Sequence, residues 1–116
     1  MTRFKRDLEV LINEGFIAPS NNSIRFVFKY GNRFKGDIGF LGLSDRSYNC
    51  LRRNKISDIS LIDSMWENLY DLKGAGIKTV KEIKNKYVEY YYNLLNEEEK
   101  KDFWTDTIKA TVEMGC

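Results

Sequence analysis

The sequence predicts a mainly α fold, a compact helical bundle with one small β-hairpin near its N-terminus. Apolar residues recur at helical spacing over most of the chain. Capping residues and glycines punctuate those runs. Only residues 24–30 alternate with the period of a strand.

The elements follow in order. Residues 3–14 form an amphipathic helix, with Phe4, Leu8, Leu11 and Ile12 on one face and Gly15 as its stop. Pro19 and the polar residues 20–23 make a loop. Ile24, Phe26, Phe28 and Tyr30 share one strand face, with Arg25 and Lys29 on the other. Gly31-Asn32 is the turn from which Arg33 to Lys35 returns as a second strand. This basic hairpin offers either a DNA contact or plain cover for the core. From Gly36 the chain reads as all-helical. Ser44 caps a helix over 45–54 with Asp45 in its first turn. Ser57 or Asp58 opens a short helix through Ile62, and Ser64-Met65-Trp66-Glu67 reads as a capping box for a helix to Leu72. Residues 77–94 form a longer helix that buries Val80, Ile83, Tyr87, Tyr90, Tyr91 and Leu94. Asn96 with Glu97 to Glu99 opens a last helix to about Glu113, packed through Phe103, Thr107, Ile108 and Thr111. The acid triplet there reads as a dipole-stabilised helix start, not a metal site.

Composition narrows the chemistry. At 116 residues, 42% of them hydrophobic, the chain is long enough to bury a real core. No apolar run reaches the roughly 18 residues that span a bilayer. The N-terminus is polar and lacks a signal-peptide core, so a cytoplasmic location is expected. Cys50 and Cys116 do not make a disulfide scaffold. Histidine is absent, which removes the commonest general base and metal ligand. No catalytic residue, metal or cofactor is expected, nor any small-molecule substrate. The net charge of +2 hides an asymmetry: residues 1–56 hold 11 basic and 5 acidic residues, and residues 57–116 hold 8 and 12. All seven arginines lie at or before Arg53.

Two stretches carry recognition chemistry. Leu72 to Ile83 reads as a helix end, a two-glycine turn through Gly74 and Gly76, and a new helix start. Glycine permits positive φ and close approach of another molecule. The helix that follows presents free N–H groups and a positive dipole end, with Lys78 and Thr79 beside them. This is the pattern of a helix–hairpin–helix turn that grips a phosphate. The second stretch is the helix over 45–54. Arg46, Asn49, Cys50 and Arg53 fall at i, i+3, i+4 and i+7 on one face, while Tyr48 and Leu51 turn to the core.

The run Leu41-Gly42-Leu43-Ser44-Asp45-Arg46-Ser47-Tyr48-Asn49-Cys50-Leu51-Arg52-Arg53 resembles the C-terminal domain of the bacterial RNA polymerase α subunit, as does Gly76-Ile77-Lys78-Thr79-Val80-Lys81-Glu82-Ile83-Lys84. The family patterns read roughly L-x-L-S-x-R-S-x-N-C-L-K and N-L-G-K-K-S-L-x-E-I-K. The resemblance covers residues 38–90.

It implies a helical domain with paired helix–hairpin–helix-like motifs. It also implies a DNA-binding module in transcription regulation, acting on A·T-rich duplex. Arg46 would enter the minor groove, with Asn49 and Cys50 along the backbone beside it. Gly76 would give its amide to a phosphate, with Lys78 and Thr79 adding a charge and a hydroxyl. Glu82 matches a position that orients the basic contacts. A narrow A·T-rich groove attracts arginine, while the glycine turn reads phosphate and sets register. Three features depart from the pattern: Ile77 replaces a lysine, Gly74 replaces an asparagine, and the motifs lie one residue closer. The implied organisation is 1–37 as an N-terminal extension, 38–95 as the α C-terminal-domain-like part, and 96–116 as an extra helix and tail. The other reading is a protein-interaction module that docks on RNA polymerase, a transcription factor or itself without binding DNA.

Overall fold

The computed structural model describes residues 2–18, 24–31 and 35–114, with the backbone alone for 113 and 114. The chain divides into two compact units, residues 1–29 with 92–116, and residues 30–91. Five α-helices account for most of the described residues: α1 (Arg3–Asn13), α2 (Asp45–Arg53), α3 (Ser60–Ser64), α4 (Ile77–Asn93) and α5 (Glu97–Met114). Two 3₁₀ segments, Ile38–Leu41 and Trp66–Asp71, join them. No described helix is long and apolar enough to cross a membrane.

In the first unit, Thr2 caps α1 by accepting the Lys5 N–H at 3.2 Å. Asn96 and Glu99 form a reciprocal capping box on α5, with bonds of 2.8 and 3.1 Å. Glu99 therefore caps through its carboxylate as well as lying at the positive helix end. Phe4, Tyr92, Phe103 and Trp104 are buried together, with Phe4 stacked on Trp104 at 5.5 Å and Tyr92 edge-on to Phe103 at 5.5 Å. The polar atoms of this cluster are satisfied in series. Trp104 Nε1–H donates to the Tyr92 hydroxyl, and that hydroxyl donates to Asp7. Asp7 also accepts from Arg3, whose guanidinium forms a bidentate pair with Glu97.

The expected N-terminal β-hairpin does not form. Residues 24–28 carry no strand pairing, Lys29 and Tyr30 form a turn, and Asn32 to Phe34 fall outside the described residues. The physical reason is where the backbone amides go. Arg25 N–H donates to Thr111 Oγ1 at 2.9 Å and Val27 N–H to Thr107 Oγ1 at 3.3 Å. The Arg25 and Val27 amides thus meet a helix's hydroxyls instead of a second strand. Phe26 stacks on Phe103 at 5.9 Å, while residues 24–28 are all partly buried with no alternation.

In the second unit, α4 buries Val80, Ile83, Tyr87, Val88 and Tyr91. Ile38, Leu41, Leu51, Ile59, Ile62 and Leu69 complete that core, each 5% exposed or less. Burial of each such side chain is worth about 1.5–3 kcal/mol. Tyr90 is only half-buried, and Leu94 lies beyond the end of α4 and is 47% exposed. The helix expected over 64–72 is a 3₁₀ segment. Ser64 is the last residue of α3, so its backbone is helical where an N-cap is extended, and its hydroxyl donates back to the Leu61 carbonyl. Three residues per turn bring Trp66, Leu69 and Leu72 to one side, with Trp66 against Tyr87 at 5.6 Å.

Replacing Thr111 or Thr107 by valine keeps the shape and removes the acceptor. Each change should cost about 1 kcal/mol in urea denaturation and speed exchange of the Arg25 or Val27 amide. Unchanged stability and exchange would show that the threonine hydroxyls do not hold this segment.

Candidate functional site

The site is built where α2 meets the start of α4. Ser44 takes an extended conformation, and its hydroxyl accepts the Ser47 N–H at 3.4 Å to cap α2. Glu82, in the second turn of α4, reaches this cap. Its carboxylate accepts from the Ser44 hydroxyl at 2.7 Å, from the Ser44 N–H at 3.3 Å, and from the Ser47 hydroxyl. The Ser47 and Ser44 hydroxyls hold the Glu82 carboxyl below its ordinary range.

The other end of α2 is also tied. Lys55 sits in the left-handed region at φ 63°, where Lys55 N–H bonds to Arg52 O and Ile56 N–H to Leu51 O. At Asn54 the side-chain amide donates to Cys50 O at 2.8 Å and to Lys73 O at 3.0 Å, and its oxygen accepts Lys73 N–H at 3.0 Å. Gly74 follows at φ +84°, a conformation that a side chain would strain. A Cβ there would lie 3.2 Å from the Arg53 guanidinium. Gly76 has no positive φ, but nothing lies within 4 Å of where its Cβ would be. Its value is the open approach to its backbone.

The two helix starts are treated oppositely. The positive end of α2 has a serine cap, Asp45 in its first turn and the Glu82 carboxylate. The positive end of α4 follows a glycine and has no acid in its first turn. Arg46, Gly74, Gly76, Ile77, Lys78 and Thr79 line an open depression at that end. A second, shared by Arg46, Lys78 and Thr79, continues to Ser44, Ser47 and Glu82. Arg46 and Lys78 are exposed, and neither pairs with an acid among the described residues. Such a surface suits an anion.

The structure places the sequence-predicted residues in two groups. Arg46, Gly74, Gly76, Lys78 and Thr79 line the first depression together, and Glu82 joins Arg46, Lys78 and Thr79 in the second. Asn49 and Arg53 are exposed on α2. Cys50 is 4% exposed, with its sulfur 3.8 Å from the Lys73 carbonyl, so it lies behind the turn. Thr79 is 6% exposed at the edge of the depression.

The family model for the C-terminal domain of the bacterial RNA polymerase alpha subunit matches residues 31–89, just over half of the sequence. The protein belongs to this family. The match lies inside the unit formed by residues 30–91. Similar proteins include the DNA-directed RNA polymerase subunit alpha of Rubrobacter xylanophilus, 42% identical over 55 residues, which are 47% of this protein and 18% of that subunit. The same subunit of Clavibacter michiganensis subsp. michiganensis is 44% identical over 50 residues, 42% of this protein and 15% of that one. The matched region thus spans less than a fifth of either relative's length. No solved structure matches it. The family is one of DNA-binding transcription modules with a helical fold, not of catalytic domains.

Two residues of this α C-terminal-domain region were not legible as site residues. Ser47 is 1% exposed, and only the fold places Glu82 beside its hydroxyl. Asn54 reads as a helix end, and only the fold brings Lys73 to its carboxamide.

A carboxyl held low when folded adds stability above its unfolded pKa and loses it as pH falls through the folded one. The Glu82 contribution should therefore be complete above about pH 5 and decline below about pH 4. Glu82→Gln should lower stability at pH 7 and flatten the acid limb of a stability–pH curve. An unchanged acid limb would place the Glu82 hydrogen bonds outside the folding balance.

Proposed function

We propose that this protein is a non-enzymatic DNA-binding module in transcription regulation that grips A·T-rich duplex through its minor groove and backbone. Arg46 enters the groove. The Gly76 amide, the α4 start, Lys78 and Thr79 hold a phosphate beside it. Asn49 and Arg53 extend the basic face along the backbone, and Cys50 supports the turn from behind. RNA polymerase and transcription factors are the partners this role implies.

The observation that carries the reading is the unanswered positive end of α4. It shares one open depression with an unpaired arginine and an unpaired lysine. Helix termini of this kind bind phosphate, and an arginine placed beside one can reach into a narrow, electronegative groove. A depression lined mostly by backbone and basic groups offers little to read base edges, so recognition is by shape.

Fluorescence anisotropy of the full protein against A·T-rich and G·C-rich duplexes tests this. The A·T-rich duplex should bind more tightly, and Arg46→Ala should cost about tenfold or more and reduce that preference. Lys78→Ala should weaken both duplexes alike and make the slope of log K against log salt about one unit less negative. If both variants bind like the wild type, the surface is misassigned. If the wild-type protein binds no duplex, the interaction-module reading takes its place.

A further inference from the structure

Core residues hold α4: Val80 and Ile83 are fully buried. Gly76 lies before that helix, on an open turn with nothing near its missing Cβ. Its carbonyl accepts the Val80 N–H at 3.0 Å, so α4 holds one side of Gly76, and the turn holds the preceding peptide that carries its N–H. Within the turn, Ala75 N–H bonds to Leu72 O at 3.1 Å. The tie to another element is at Lys73, where both polar groups of one residue's backbone bond to a single carboxamide.

From this geometry we infer that Asn54 is the positioning residue of the phosphate-binding turn. Asn54 does not line the depression. Its amide is anchored on α2 through Cys50 O and grips Lys73 with one donor and one acceptor. A carboxamide offers both in one rigid plane, which a carboxylate or ammonium does not. Two bonds to one residue fix the orientation of the backbone as well as its distance. Gly74 then turns the backbone at φ +84° and delivers Gly76 opposite Arg46, which sits on the helix that Asn54 ends. The carboxamide thereby aims the phosphate-binding amide, while Arg46 keeps its own place on α2. This inference rests on the DNA reading above.

A double-mutant cycle in the full protein tests it, with A·T-rich duplex as the probe and anisotropy as the readout. Asn54→Ala should weaken binding by about five- to tenfold and make the salt slope about one unit less negative. Gly76→Ala, which blocks approach to the amide, should weaken wild type but cost little more once Asn54 is alanine. Arg46→Ala should keep its full effect in both backgrounds. In nitrogen-15 spectra, Asn54→Ala should move the Gly74 and Gly76 amides and leave Val80 and Ile83 in place. If Asn54→Ala does not fold, Asn54→Ser takes its place, since a hydroxyl cannot grip both Lys73 groups. Wild-type binding with an Asn54 variant that binds normally, or is additive with Gly76→Ala, overturns the inference and leaves the DNA reading standing. A wild-type protein that binds no duplex overturns both.

Discussion

The carboxylate of Glu82 accepts the hydroxyls of Ser44 and Ser47, and the geometry of the site depends on this contact. It fixes the start of α2 against the second turn of α4. It also brings a negative charge to the positive end of α2. That end already holds a carboxylate of the protein itself. The start of α4 has a glycine before it and no acid in its first turn. The two neighbouring helix starts thus differ in charge: an acid faces one, and none lies in the first turn of the other.

A second tie acts at the far end of α2. Asn54 joins that end to Lys73, and the Cys50 sulfur approaches the same carbonyl from the core side. Held at both ends, α2 presents Arg46, Asn49 and Arg53 to solvent while Leu51, Cys50 and Ser47 are buried. The helix continues into a left-handed Lys55, a conformation that costs a non-glycine residue about 1 kcal/mol. The buried Leu51 and Ile56 on either side of the Ile56–Leu51 bond offset that cost.

Much of this was legible in the sequence, for physical reasons that differ by element. Helical periodicity located α4 because Val80, Ile83, Tyr87 and Tyr91 repeat over several turns. The Ser44 cap and the glycine turn were legible because each depends on a residue type with one strong local preference. Alternation of Ile24, Phe26 and Phe28 suggested a strand for that segment, and none forms there. Whether threonine hydroxyls or a strand take its amides depends on residues about 80 positions away. Ser64 failed as a cap because it lies within α3, where its backbone does not take the extended conformation of an N-cap. Within the site, spacing on one helix gave Arg46 and Asn49 their shared exposed face. It could not show that Cys50 would be buried or that Asn54 would hold Lys73, because both depend on where the glycine turn docks.

The most direct test of the account is a titration of the nitrogen-15-labelled protein with an A·T-rich duplex. The two halves of the site lie some 30 residues apart in sequence and share one depression. The amides of Arg46 and Asn49 should shift together with those of Gly76, Lys78 and Thr79, along a single binding curve. Shifts confined to one of these groups, or centred on residues of the unit formed by 1–29 and 92–116, would contradict it.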